Sequence, residues 1–320
     1  SDVCSSDLTR AILVGGFVSS STIFSGTTLT LASHHIERVD TVEDVLATAP
    51  PIETTTVPEP TVKDFDWRSR AGIEILNDSR RQIDWPCVDF RYRVPFDDDC
   101  GVIDGSRSLL VVGDSHAGSL GPAAVQLARE LDLGLRIIGQ GQCAPAGVEI
   151  LLDDSLIPGC RGWADKIIAD IRAHRDRTTL VLWTARSDYY FPGPAIGQTV
   201  NIGEASIAEG GRAVDAPRAA EIWQFGVRHF ASAMADLGIP IVIVDSSPEL
   251  RAWPSDCLSH DSPEECGMPR SVLDPYRASS LAAERAAVAG IDRAATFDPY
   301  DVLCDATFCP AVREIGRAHV

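Results

Sequence analysis

Between residues 106 and 297 the chain alternates short apolar runs with longer stretches whose apolar positions recur every three to four residues. Read as buried strands and amphipathic helices, these predict a strand over 109–112, a helix over 119–131, a strand over 134–139, a helix over 162–173 and a strand over 179–184. After a loop-rich stretch come a helix over 216–237, a strand over 239–244, a helix over 275–289 and a last strand near 294–297. Alternation of this kind predicts an α/β fold, with a central parallel sheet, helices on both faces and a site at the C-terminal ends of the strands. Trp183 and Trp223 fall inside these elements and are expected to pack, not to bind.

Upstream the pattern changes. Residues 11–32 carry no charge and include Ile12, Leu13, Val14, Phe17, Ile23, Phe24, Leu29 and Leu31, a length that suits one membrane span although Ser and Thr dilute it. A span over 9–33 is expected, with Arg10 inside and the cysteine-rich part outside. A signal peptide ending near Ala32-Ser33 is the rival. Residues 34–61, rich in Thr, Pro, Val and Glu beyond 41, predict an extended linker. Residues 62–105, with Trp67, Trp85, Phe90 and Tyr92, predict an extension packed on the main domain over 106–313.

The termini are expected to be foreign. Residues 1–8 can be encoded by TCAGACGTGTGCTCTTCCGATCT with one further base, and the opposite strand of that DNA reads as residues 314–320 followed by a stop. One adapter oligonucleotide thus accounts for both ends, which are set aside as artefacts of a fragment read through at each side. The formal net charge of −18 supplies no basic stripe to neutralise phosphates and argues against nucleic-acid binding. Of nine cysteines, Cys4 falls in the adapter, and the other eight follow one another as close neighbours. They predict four local disulfides, Cys87 with Cys100, Cys143 with Cys160, Cys257 with Cys266 and Cys304 with Cys309, in an oxidising compartment. A zinc site is the alternative, but no Cys-x-x-Cys or His-x-x-x-His spacing supports a metal.

Candidate chemistry concentrates where the first strand stops, at Gly113-Asp114-Ser115-His116. A serine between a buried strand and a helix can present its hydroxyl at the sheet edge as a nucleophile. The same residues also make an ordinary turn, with Asp114 or Ser115 as a cap. His116 is adjacent to the serine and poorly directed to act as its base, so Asp114 and His116 are expected to organise the turn. Ser115 would supply one oxyanion donor through its own N–H, and Gly141, in Gly139-Gln140-Gly141-Gln142, is a candidate for the second, although a plain glycine turn fits equally. Arg186, after the strand over 179–184, either donates to a substrate oxygen or forms a salt bridge to Asp188 or another carboxylate. His174, His229 and His260 have no partner spacing and are expected to be ordinary surface or packing residues.

Gly113-Asp114-Ser115-His116, Cys143-Ala144-Pro145, Cys160 with Trp163, and the pair Cys304 and Cys309 together resemble the SGNH domain fused to the membrane-bound acyltransferase-3 family, over residues 84–313. The resemblance implies an SGNH-hydrolase-like three-layer sandwich and a serine that carries an acyl group outside the cytoplasm. It also implies a last transmembrane helix just before the linker. Its members carry an Asp-x-x-His after the last cysteine pair, and that motif is absent from this chain. In place of the usual block-three asparagine stands Ala185-Arg186, as in the acyltransferase-fused members. The function so implied is O-acyl transfer, with acetyl as the expected group, to a cell-surface glycan hydroxyl. A missing membrane part would deliver the acyl group, no cofactor would be needed, and this chain alone would be inactive. A secreted esterase that deacetylates carbohydrate, or a non-catalytic glycan-binding module, are the alternatives. A fold and a serine do not choose among them.

Overall fold

The computed structural model describes residues 69, 85–89, 100–193, 195–197 and 204–312. The expected span, the expected linker, most of the expected extension and the two ends expected to be foreign lie outside the described residues. Among the described residues no helix is long and apolar enough to cross a membrane. In chain order the strands are β1 (Cys87–Asp89), β2 (Gly101–Ile103), β3 (Ser108–Gly113), β4 (Gly134–Gln140), β5 (Glu149–Leu152), β6 (Ser155–Leu156), β7 (Thr178–Thr184), β8 (Ala205–Glu209), β9 (Arg212–Ala213), β10 (Ile241–Val244), β11 (Met268–Pro269), β12 (Ala294–Phe297) and β13 (Phe308–Cys309). The long helices are α1 (Ser115–Glu130), α2 (Trp163–Ala173), α3 (Ala216–Leu237) and α4 (Arg270–Val288).

The central sheet runs β1-β4-β3-β7-β10-β12 and is parallel throughout, with β2 added antiparallel to β4. Each face of β3 has its own core, which is why its apolar run is continuous. Leu109 and Val111 pack with Leu120, Ala124 and Leu127 of α1 on one face. Leu110 and Val112 belong to the opposite core, with Ile167 of α2, Trp223 and Phe230 of α3, and Ala283 and Ala287 of α4. The result is the three-layer α/β sandwich the alternation predicts. The extension does more than pack on this sheet, since it supplies β1 and β2. Trp85, just before β1, donates from its indole N–H to the Gly118 carbonyl of α1 at 2.8 Å.

The boundaries differ where local chemistry overrides periodicity. Strand β10 begins at Ile241, because Pro240 has no N–H to give a ladder. Helix α4 begins at Arg270, ahead of its Pro275, because Leu273 is buried in a small cluster with Tyr300. Inside the region expected to be loop-rich, and in the one between β4 and α2, lies a separate antiparallel sheet of order β6-β5-β8-β9. Its two hairpins turn through Asp153-Asp154, with φ of 45° and 62°, and Gly210-Gly211, with φ of 60° and 74°. Two consecutive positive-φ residues make the primed turns that match strand twist, a signal present in the sequence as Asp-Asp and Gly-Gly. All four expected disulfides are formed.

Helix α3 comes so close to the loop after β4 that a Cβ on Gly226 would lie 2.0 Å from the Ala146 carbonyl oxygen. In an open helix Gly→Ala would gain about 1 kcal/mol, but here a backbone atom blocks the methyl group and the helix must move. We expect Gly226→Ala to lower stability by about 1–3 kcal/mol, measured by urea denaturation; a stabilised variant would contradict this.

Candidate active site

The strand-to-helix turn at the end of β3 is set by two backbone contacts. A Cβ on Gly113 would meet the Thr184 carbonyl oxygen of β7 at 2.5 Å, and one on Gly139 would meet the Asp114 carbonyl oxygen at 2.8 Å. Only glycine lets the three strand tips approach this closely. The helix then starts at once, with Asp114 as N-cap and Ser115 as its first residue. The expected start at 119 was late because 115–118 offer little apolar periodicity. Ser115 therefore has its N–H at the positive end of a helix of 16 residues. Among the described residues no side chain is hydrogen-bonded to its hydroxyl.

Asp114 is almost wholly buried, at 1% exposure. Its carboxylate accepts from the His116 N–H at 2.7 Å, from the Arg186 N–H at 3.0 Å and from the Tyr190 hydroxyl at 2.7 Å. The His116 ring Nδ1 stands 3.3 Å from the same carboxylate. Burial by itself would raise the Asp114 pKa, but the His116 contacts and the Tyr190 hydroxyl outweigh it and the net shift is downward. The same contact, after burial, pushes the Tyr190 hydroxyl up, so that it stays a donor. Asp114 therefore joins α1 to the segment that follows β7.

Arg186 is the cap of that segment, a short 3-10 turn over Ser187–Tyr190. Its guanidinium pairs at 2.5 Å with Glu249, in the loop after β10, and lies 5.4 Å from the centre of the Tyr189 ring. Of the two roles open to Arg186, the structure shows the salt bridge, made to Glu249. Burial disfavours the charged guanidinium, but Glu249 reverses this and holds its pKa above the usual value. Burial also raises Glu249 and Asp188. The Ser246 hydroxyl donates to the Ala185 carbonyl at 3.2 Å, which ties the end of β10 to the same turn.

The assignment of Gly141 as second oxyanion donor is corrected. Its N–H donates to the Asp89 carbonyl of β1 at 2.8 Å. The edge strand from the extension takes up the group that the glycine pattern had offered. The three internal histidines are placed elsewhere. His174 precedes β7, at the opposite end of the sheet from Ser115, with Nδ1 2.9 Å from the Asp170 carbonyl. His229 on α3 faces Asp165 at 2.9 Å on the surface. His260 sits in a turn between Cys257 and Cys266. Cys257, Asp261 and Cys266 also come together, but both cysteines are bonded to each other.

Tyr190, Glu249 and Ser246 were missed from the sequence, and Asp188 was named there only as a candidate partner of Arg186. Ser246 had a legible signal, as the second of two polar residues that follow the apolar Ile241–Val244 run. Glu249 had none, because its position depends on the path of the loop.

The profile of the family described as SGNH domain (fused to AT3 domains) matches residues 86–318. The chain belongs to this family. No curated protein matches the sequence. Among solved structures, the chain is similar to one titled as the periplasmic domain of a lipopolysaccharide acetyltransferase from Salmonella ser. Paratyphi A, at 14% identity over 77% of this chain and 86% of that one, with a TM-score of 0.47. Membership makes this an SGNH domain of acyl-transfer or esterase type. Its four disulfides make it an extracytoplasmic domain.

Because Asp114 is held below the ordinary aspartate pKa, it stabilises the fold above that value and the contribution is lost as pH falls through the lowered one. Asp114→Asn would put an amide donor or a weaker acceptor against N–H and O–H donors. Hydrogen bonds to charged groups contribute about 1.5–3 kcal/mol, so the expected loss near neutral pH is of that order. Denaturation at neutral and at acid pH checks it, and the gap between the two proteins should narrow on the acid side. A gap that is constant with pH would deny the charged cap.

Proposed function

We propose that Ser115 is the nucleophile of an extracytoplasmic O-acyl transfer, in which an acyl group, acetyl for preference, rests on its hydroxyl as an ester and passes to a hydroxyl of a cell-surface glycan. The observation that carries this is the placement of Ser115 as the first residue of α1, at the C-terminal tip of the central strand, in a chain of the SGNH family. Attack by its oxygen on the donor's acyl carbonyl forms a tetrahedral oxyanion, which collapses to the serine ester as the donor's leaving group departs with a proton; the acceptor hydroxyl then attacks that ester, and the second collapse releases the serine with a proton returned to it. The Ser115 N–H and the positive end of α1 are arranged to stabilise negative charge on that oxygen. Asp114 does not accept the serine proton, since its oxygens are already engaged by three donors. Arg186, paired with Glu249, serves as a fixed wall of the site.

The proton must go to a base. Family members use the histidine of an Asp-x-x-His after the last cysteine pair, and these 320 residues contain no such motif. The acyl group would be delivered from a membrane part, with 9–33 as the attachment and 34–61 as its tether. No cofactor is invoked, and glycan and acyl group are the partners.

The test compares this chain with a version carrying an Asp-x-x-His segment beyond residue 313, each with Ser115 and with Ser115→Ala, on an activated acyl ester and then on a glycan acceptor. A positioned base is worth about 10²–10⁴ in rate, so this chain should be slower by that factor and the alanine variant inactive though folded. Near-normal turnover by Ser115→Ala would end the nucleophile assignment. Equal rates with and without the added segment would overturn the requirement for an Asp-x-x-His base. Hydrolysis with no transfer to any glycan would favour an esterase.

A further inference from the structure

Behind the Asp114 contacts lies a second buried cluster that the proposed chemistry does not use. Glu284 projects from α4 into the interior at 1% exposure, and Asp245, the residue after β10, is 2% exposed. Glu284 accepts from the Ser187 hydroxyl and, at 3.1 Å, from the Trp223 indole N–H. Neither oxygen of the Asp245 carboxyl receives a hydrogen bond from a fixed donor. The group within its hydrogen-bond reach is the Glu284 carboxyl itself.

The surrounding charges do not relieve this arrangement. From α4, Arg277 stands 4.0 Å from Asp245, but it is engaged at 2.8 Å by Asp298 and lies 3.6 Å over the Tyr300 ring. Asp298, after β12, and Asp188, after β7, add negative charge. From α3, Trp223 contributes a neutral indole N–H. Two carboxyl groups in contact, buried and without a full counter-ion, cannot both ionise cheaply, and a proton between them turns repulsion into a hydrogen bond.

We propose that Asp245 and Glu284 share one proton, and that the neutralised pair is a positioning device which, through Ser187, holds the turn after β7 against the Asp114 cap of the helix carrying Ser115. The path is short and made of side chains already described. Ser187 lies between Arg186, whose N–H donates to Asp114, and Asp188. Ser246, the neighbour of Asp245, bonds the Ala185 carbonyl. The consequence for activity rests on Ser115 being the nucleophile, whereas the shared proton does not.

Burial raises both groups: for Asp245 the facing Glu284 and Asp298 carboxylates add to it, whereas for Glu284 the hydrogen bonds from Ser187, Asp245 and Trp223 offset part of it and leave the group at about 7, above the ordinary 4.5. A folded-state pKa raised above the unfolded value gives stability that is complete below the unfolded pKa and is lost as pH rises through the folded one. The window is therefore pH 4.5 to about 7. Glu284→Gln keeps a carbonyl for Ser187 and Trp223 and offers Asp245 an amide N–H where the proton was.

The experiment measures denaturant stability across that window for the unmodified chain and for Glu284→Gln, together with the infrared C=O band of a protonated buried carboxyl at pH about 6, the middle of the window. The unmodified chain should lose stability as pH rises and show the band, whereas Glu284→Gln should lose clearly less over the window and show the band weakened. Equal slopes in the two proteins, or no such band in the unmodified chain, would overturn the shared proton. In a version active on an acyl ester, Glu284→Leu should lower kcat by about 10-fold to 10²-fold with KM unchanged, and Glu284→Gln should restore it. An unchanged kcat in a folded Glu284→Leu variant would overturn the positioning role. If Ser115→Ala keeps turnover while the pH and infrared results hold, it is the nucleophile assignment that has failed and the shared proton that stands.

Discussion

The buried Asp114 carboxylate is the constraint on which the site depends. It sits at the tip of β3 and takes three donors from two directions, one from the first turn of α1 and two from the segment after β7. A carboxylate at 1% exposure is tolerable only while those donors stay in place. The same contacts that make its burial possible therefore fix where the helix begins and where Ser115 stands. Close packing of the strand tips completes the arrangement, since neither Gly113 nor Gly139 has room for a side chain.

A hierarchy of support extends outward from that group. Arg186 bonds Asp114 through its backbone and Glu249 through its guanidinium, so the loop after β10 is anchored to the turn after β7. Ser187 reaches Glu284 on α4, and Ser246 reaches the Ala185 carbonyl. On the other side of α1, Trp85 lies against Gly118 and Gly121, where a Cβ on Gly121 would come within 2.3 Å of its ring. The helix that begins at Ser115 is thus held from its cap by polar contacts and from its flank by the segment around Trp85.

The layout of the sheet was legible in the sequence because the strands are continuous apolar runs and the helices carry long amphipathic patterns. The helix over 216–237 and the strand over 294–297 fall where periodicity puts them. The candidate serine was legible from its place between strand and helix. The small antiparallel sheet was not, since strands as short as Ser155–Leu156 and Arg212–Ala213 leave no period to detect. The Gly141 error has a physical lesson. A glycine allows a close approach but does not say what approaches, and here it is the edge strand β1. The partners Tyr190, Glu249 and Glu284 are brought together by tertiary folding alone, from three separate segments.

The central claim is that Ser115 is the residue that becomes acylated. Incubation with an activated acyl ester, followed by peptide mass mapping of the acid-quenched protein, tests it without requiring turnover. The added acyl mass is expected on the peptide containing Ser115, and it should disappear in Ser115→Ala. An acyl group found reproducibly on another residue, with the Ser115 peptide unmodified, would contradict the account.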